Sequence, residues 1–114
     1  MGRSKLENLA YNISLLLTEH GCHGDVAIYF EGKRLTTLDS SNYGKWVLQD
    51  GFKASDYTDY ANDDTITMTF EGEFYHTMNY GDHPTLLDKF ASLLADNGYW
   101  YELGNAWNLA LYKE

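Results

Sequence analysis

Apolar residues recur every three or four positions near the start of the chain. Leu6, Leu9, Ala10, Ile13, Leu16, Leu17 and His20 fall on one face of a helix. Ser4 and Glu7 have capping-box spacing, with Ser4 accepting from an orphan amide and Glu7 reaching back, and Gly21 supplies a left-handed stop. The period then drops to two. Val26, Ile28 and Phe30 alternate with Ala27 and Tyr29, Glu31-Gly32-Lys33 turns the chain, and Leu35 and Leu38 follow, which predicts a hairpin. Residues 39–44 read as a turn and residues 45–49 as a third strand. Alternation is cleanest over 65–71, where Ile66, Met68 and Phe70 oppose Thr65, Thr67 and Thr69, so one face should pack on helices and the threonine face should stay wet. After a turn at Glu71-Gly72-Glu73, residues 74–80 fit a strand slightly better than a short helix. A second long helix is expected after Gly81, with Pro84 in its first turn, an inner face of Leu87, Phe90, Ala91 and Leu94, and a stop at Asn97-Gly98. Two aromatic strands about a Gly104-Asn105 turn close the chain.

These elements amount to a single α+β domain over residues 1–114. The expected architecture is one antiparallel sheet of five to seven strands with both long helices packed on one face. Residues 4–38 and 83–112 each read helix, glycine stop, hairpin. Duplication and chance explain that shared order equally well.

Composition narrows the function. A chain of 114 residues is one domain's worth of material, and folding should bury roughly two-thirds of the surface its unfolded chain exposes. With 44% hydrophobic residues it is no disordered acidic tail. The net charge is −9 and the cations are scattered apart from Lys33-Arg34, so phosphate backbones and anionic lipid would be repelled. Direct nucleic-acid binding and membrane association are therefore disfavoured. Cys22 is the only cysteine, so no internal disulfide can form and a reducing compartment fits best. The first ten residues carry two cations but no apolar stretch or small-residue cleavage site, which speaks against a secretory signal. The run Ile13-Ser14-Leu15-Leu16-Leu17 is far too short to span a bilayer, and the Asn12-Ile13-Ser14 sequon carries no meaning in a cytosolic helix. The expected location is cytoplasmic.

The chemistry concentrates in residues 50–64, DGFKASDYTDYANDD, with five aspartates, two tyrosines and one lysine in fifteen positions. Ser55 could cap a short helical turn, with Tyr57, Tyr60 and Ala61 facing in and Asp56, Asp59 and Asp63 facing out. Carboxylates interleaved with flat rings suit a basic protein surface. The residues expected to touch a partner are Asp56, Tyr57, Asp59, Tyr60, Asp63 and Asp64, extended by Glu71 and Glu73 at the tip of an adjacent hairpin. A solvated loop that keeps the protein soluble is the plainer account of the same aspartates. Of the remaining aromatics, Trp46, Phe70, Phe90, Trp100 and Trp107 are expected mostly in the core, and seven tyrosines (57, 60, 75, 80, 99, 101, 112) are too many to bury together.

Other chemistries find less in the chain. Glu19-His20-Gly21-Cys22-His23 crowds metal-ligating types together, but no second cysteine or ordered histidine spacing completes a zinc site. A Cys22 nucleophile would sit just past a helix C-terminus, where the dipole opposes a thiolate. DYTDYANDDTIT lacks the central glycine and final glutamate of an EF-hand loop. Carboxylate pairs suited to glycoside hydrolysis arise by accident among 17 acidic residues. No catalytic residue, metal or cofactor is assigned. Two alternatives stay open: a small-ligand or sugar groove lined by Trp100, Trp107, Thr65, Thr67 and Thr69, and a small hydrolase using His76, His83 or the Cys22 region.

In size, acidity and lack of a catalytic motif the chain resembles the small inhibitors of bacterial phages and other mobile elements, the anti-CRISPR and anti-restriction proteins. The resemblance is of general character over the whole chain and maps no residue onto another protein. It implies binding to a nuclease of a bacterial defence system, a CRISPR effector or a restriction enzyme, with carboxylates standing in for phosphates as a DNA mimic does.

Overall fold

The computed structural model describes residues 3–38 and 45–114. The turn expected over 39–44 and the start of the chain lie outside the described residues. The first amphipathic stretch forms α1 (Lys5–Glu19), burying Leu9, Ala10, Ile13 and Leu17. Ser4 Oγ accepts the Glu7 amide at 3.1 Å and donates to the Glu31 carboxylate at 2.5 Å, so the cap also ties the helix to the sheet. Gly21, at φ +69°, ends it as expected.

Six strands follow: β1 (Val26–Phe30), β2 (Lys33–Thr36), β3 (Val47–Asp50), β4 (Ile66–Phe70), β5 (Tyr99–Asn105) and β6 (Asn108–Lys113). They form one sheet in the order β3-β2-β1-β4-β6-β5, with every neighbouring pair antiparallel. The β1–β2 turn places Glu31 at φ +51° and Gly32 at φ +74°, the left-handed pair that matches strand twist in a two-residue hairpin. The architecture is the α+β sheet expected, with three helices instead of two.

The added helix is α2 (Glu73–Tyr80), where the sequence pattern leans towards a strand. Its two buried residues, Phe74 and Thr77, are one helical turn apart. The Phe74 ring sits edge-on to both Phe70 (5.0 Å) and Phe90 (5.5 Å), so burial of one large ring fixes the helix against the core. The last helix, α3 (Pro84–Asp96), starts at Pro84 as expected but is rotated: Leu86, Phe90 and Leu94 are buried, Leu87 is half-buried and Ala91 is exposed. All three helices contribute to one apolar core with the inward side chains of β1, β4 and β6.

The opposite face of the sheet departs from expectation. Thr65 and Thr67 are buried and Thr69 is half-buried, because residues 51–64 lie across that face. The closing hairpin also differs: its turn is Ala106-Trp107, with Asn105 paired to Asn108. Gly104 lies within β5 at a register shift, where a Cβ would come 2.7 Å from Tyr60 Cβ and 2.8 Å from Asn108 Oδ1. That glycine serves close approach and not the turn. Trp100 and Trp107 are 43% and 37% exposed, so neither is a core residue. The two helix-hairpin units occupy non-equivalent places in the sheet: β1, the first strand of one, is interior, whereas β5, the first strand of the other, is an edge.

Candidate protein-interaction surface

The aspartate-rich segment is the second layer of the fold. It enters where the Gly51 and Phe52 amides both donate to Gly32 O at 3.0 Å, and the Arg34 guanidinium lies 3.9 Å over the Phe52 ring. A single 3-10 turn, Ala54–Asp56, then presses Ala54 against Ala27 and Tyr29. Its cap position is Lys53, not Ser55. The Ser55 amide instead donates to Asp63 Oδ1 at 3.2 Å, and Lys53 Nζ stands 3.9 Å from the same carboxylate. Asp63 is thus a brace closing the loop on itself.

Polar groups hold the rest down. Asn108 Nδ2 donates to Thr58 Oγ1 and to Asp59 O, each at 2.7 Å, while its Oδ1 accepts the Asn105 amide at 2.8 Å. The Asn62 amide donates to Thr67 Oγ1 at 2.9 Å, and Asn62 Nδ2 and Thr65 Oγ1 both donate to Leu111 O. Asn108 and Thr67 are fully buried, so these bonds satisfy groups that would otherwise cost about 1–3 kcal/mol each. The loop is anchored to β4 and β6 through side chains.

The anchoring turns both tyrosines outward, against the expectation that they face in. Tyr57 is 51% exposed and stacks its inner face on Tyr29 at 5.9 Å, and Tyr60 is 66% exposed. Thr58 and Ala54 take the inward positions instead. Tyr60 also holds φ +63°, a left-handed conformation unusual for an aromatic residue. Asp56, Asp59 and Asp64 of the same loop are exposed as well. Tyr57 shares a shallow depression with Tyr29, Leu38, Trp107, Asp25 and Glu71. Leu38 and Asp25 carry no signal in the sequence that marks them for this surface, and Trp107, expected in the core or a ligand groove, belongs here because the turn falls at Ala106-Trp107.

The two glutamates part company. Glu71 follows β4, its amide donating to Asp25 O at 3.1 Å, and joins the Tyr57 depression. Glu73 is the first residue of α2 and its carboxylate lies 3.4 Å from His83 Nε2. Neither sits at a hairpin tip, because the chain turns into a helix there. Asp63 lies towards the other end of β1, in a cleft with Glu31 and Gly32.

The remaining candidates are dispersed. Cys22 is buried, with Sγ 3.8 Å from Thr77 Oγ1; burial pushes the thiol pKa up, with a weaker opposing effect from that hydroxyl. His76 is exposed on α2 and stacks on Tyr80 at 5.8 Å. Among the described residues no three His, Cys, Asp or Glu side chains are placed to hold a metal ion. Trp100 packs on Tyr112 at one end of the β5–β6 hairpin and Trp107 forms the turn at the other, with the threonines beneath the loop, so the supposed sugar groove does not assemble. No helix among the described residues is long and apolar enough to cross a membrane. Compared with protein-family models, curated proteins and solved structures, the chain matches none.

Proposed function

We propose that this chain is a protein-interaction domain that presents Tyr57 and Tyr60, together with the exposed carboxylates of Asp56, Asp59, Asp64 and Glu71, to a cationic surface of a larger protein. A surface built to hold nucleic acid is the partner such charge would suit, and occupying it would inhibit that partner, in the manner of an inhibitor of a CRISPR effector or restriction nuclease. One observation carries the reading. Two large aromatic side chains stand 51% and 66% exposed on a loop anchored to β6 by hydrogen bonds from the buried Asn108 side chain to Thr58 and Asp59. A loop that only conferred solubility would need the carboxylates and not the rings. Rigid tyrosines lose little entropy on binding and are enriched at recognition surfaces.

The test is capture of a cationic partner from host lysate, followed by affinity measurement at low and high salt. Binding should weaken as salt rises, because the charge is exposed. A variant combining Asp56→Asn, Asp59→Asn and Asp64→Asn, with the Asp63 brace kept, should lose at least about tenfold in affinity, or ~1.4 kcal/mol. Full affinity in that variant, at unchanged stability, would overturn the proposal.

A further inference from the structure

The β5 edge of the sheet has its own recognition chemistry. β5 is the outermost strand beyond β6 and is seven residues long, Tyr-Trp-Tyr-Glu-Leu-Gly-Asn, with no lysine or proline to blunt it. Its bulge lies at Leu103–Asn105, leaving Tyr99 to Leu103 regular. The ladder fixes which groups point outward. The Glu114 amide donates to Gly98 O at 3.0 Å, and on the other flank of β6 the Phe70 amide donates to Trp107 O at 2.9 Å. Bonds alternate along an antiparallel pair, so Gly98, Trp100 and Glu102 turn their backbone groups to β6, and Tyr99, Tyr101 and Leu103 turn theirs away from the sheet.

We infer that this edge pairs with the same edge of a second copy, antiparallel about a two-fold axis through Tyr101, joining two sheets into one. The register follows from three constraints. Only a centre on a residue, not between two, brings two sets of outward backbone groups face to face, and of these a centre at Tyr101 pairs all of Tyr99, Tyr101 and Leu103, forming about six hydrogen bonds. On the helix side Tyr101 then meets its own copy and Tyr99 meets Leu103, which is 43% exposed in the single chain. On the loop side Trp100, also 43% exposed, lies opposite Glu102, so no carboxylate faces its twin.

The helix layer leaves room for this. Ala91 and Ala95 of α3 are exposed and border the hollow formed with Tyr99 and Tyr101 at this edge. With Leu87 they make a stripe at four-residue spacing, of which the sequence pattern assigns Leu87 and Ala91 to the inner face. Its small side chains let the α3 helices of two copies approach over the joined strands. The axis runs perpendicular to the sheet, so both loops with Tyr57 and Tyr60 emerge on one side of the pair.

Two variants test the register. Trp100→Cys and Glu102→Cys, mixed under mild oxidation, should form a mixed disulfide, because a non-hydrogen-bonded antiparallel pair brings Cα atoms to about 4.5 Å. Neither variant should cross-link with itself, and Cys22 is buried and does not compete. Sedimentation of the unmodified chain should give twice its 13.1 kDa mass at high concentration, and Ala91→Glu, at an exposed position, should shift it to monomer without loss of stability. Two chains of charge −9 repel, so added salt should strengthen the pair while weakening docking on a cationic protein. Opposite salt responses keep the failure of one idea distinct from that of the other. A monomer at every concentration and salt, or a disulfide between two copies of one variant, would overturn the pairing.

Discussion

The two faces of the sheet are covered by different means. On one face three helices contribute Leu9, Ile13, Leu17, Phe74, Leu86, Phe90 and Leu94 to a core whose side chains are almost wholly out of water. On the other a single loop covers Ala27, Tyr29 and Thr67 and is held through Asn108, Asn62 and Thr65. Apolar burial is non-directional and accumulates with area, whereas the loop depends on a few donors and acceptors at set distances. The helix face therefore carries stability, and the loop face carries a displayed shape whose loss the rest of the fold can survive.

Deleting the Phe74 ring breaks this comparison on its strong side. The ring joins α2 to β4 and α3 through Phe70 and Phe90, and it is fully buried. Phe74→Ala should cost about 3–5 kcal/mol, a large share of the ~5–15 kcal/mol that holds a typical domain folded. Urea denaturation should show the whole molecule melting earlier in one transition. A change confined to α2 would mean that the helix layer is less cooperative than its shared core implies.

The same contrast explains what was legible in the sequence. α1, α3, β1, β2, β3 and β4 follow from hydrophobic period and from glycine or proline at their ends, signals that are local to each segment. The aspartates of the covering loop mark it as acidic and surface-lying, and they are exposed. Its inward residues were not legible, because Thr58 and Asn62 are chosen by partners on β4 and β6 about fifty positions away along the chain or less, and no period marks them. Gly104 shows the same limit. Glycine beside asparagine is a strong turn signal, yet here Tyr60 from the loop needs the missing Cβ. For Phe74 to Tyr80 the choice between strand and helix is also settled from outside the segment, by packing of Phe74 on Phe70 and Phe90.

Asn108 tests the weak side. Its side chain bonds Thr58, Asp59 and the Asn105 amide at once, and Asn108→Ala leaves those groups under a loop with fewer partners. The expected loss is about 2–3 kcal/mol, smaller than for Phe74. It should also be distributed differently: amide exchange over residues 54–62 should accelerate well before that of α1 and α3. Uniform acceleration across both faces would show that the loop is part of the global folding unit.

The smallest expected effect on stability falls at Tyr60, where the comparison is sharpest. Its φ of +63° costs an L-residue about 1 kcal/mol or more, and glycine would remove that cost. Glycine would also give the unfolded chain more freedom, a loss of roughly 0.5–1 kcal/mol, and would forfeit the contact with Gly104. These terms nearly cancel, so Tyr60→Gly should leave the urea midpoint almost unchanged while removing a ring that is 66% exposed. If the ring is there for a partner, affinity for the captured cationic protein should fall at least about tenfold. Unchanged affinity would return Tyr60 to the covering loop as an ordinary surface residue and shift the recognition surface to Tyr57, Trp107 and Glu71.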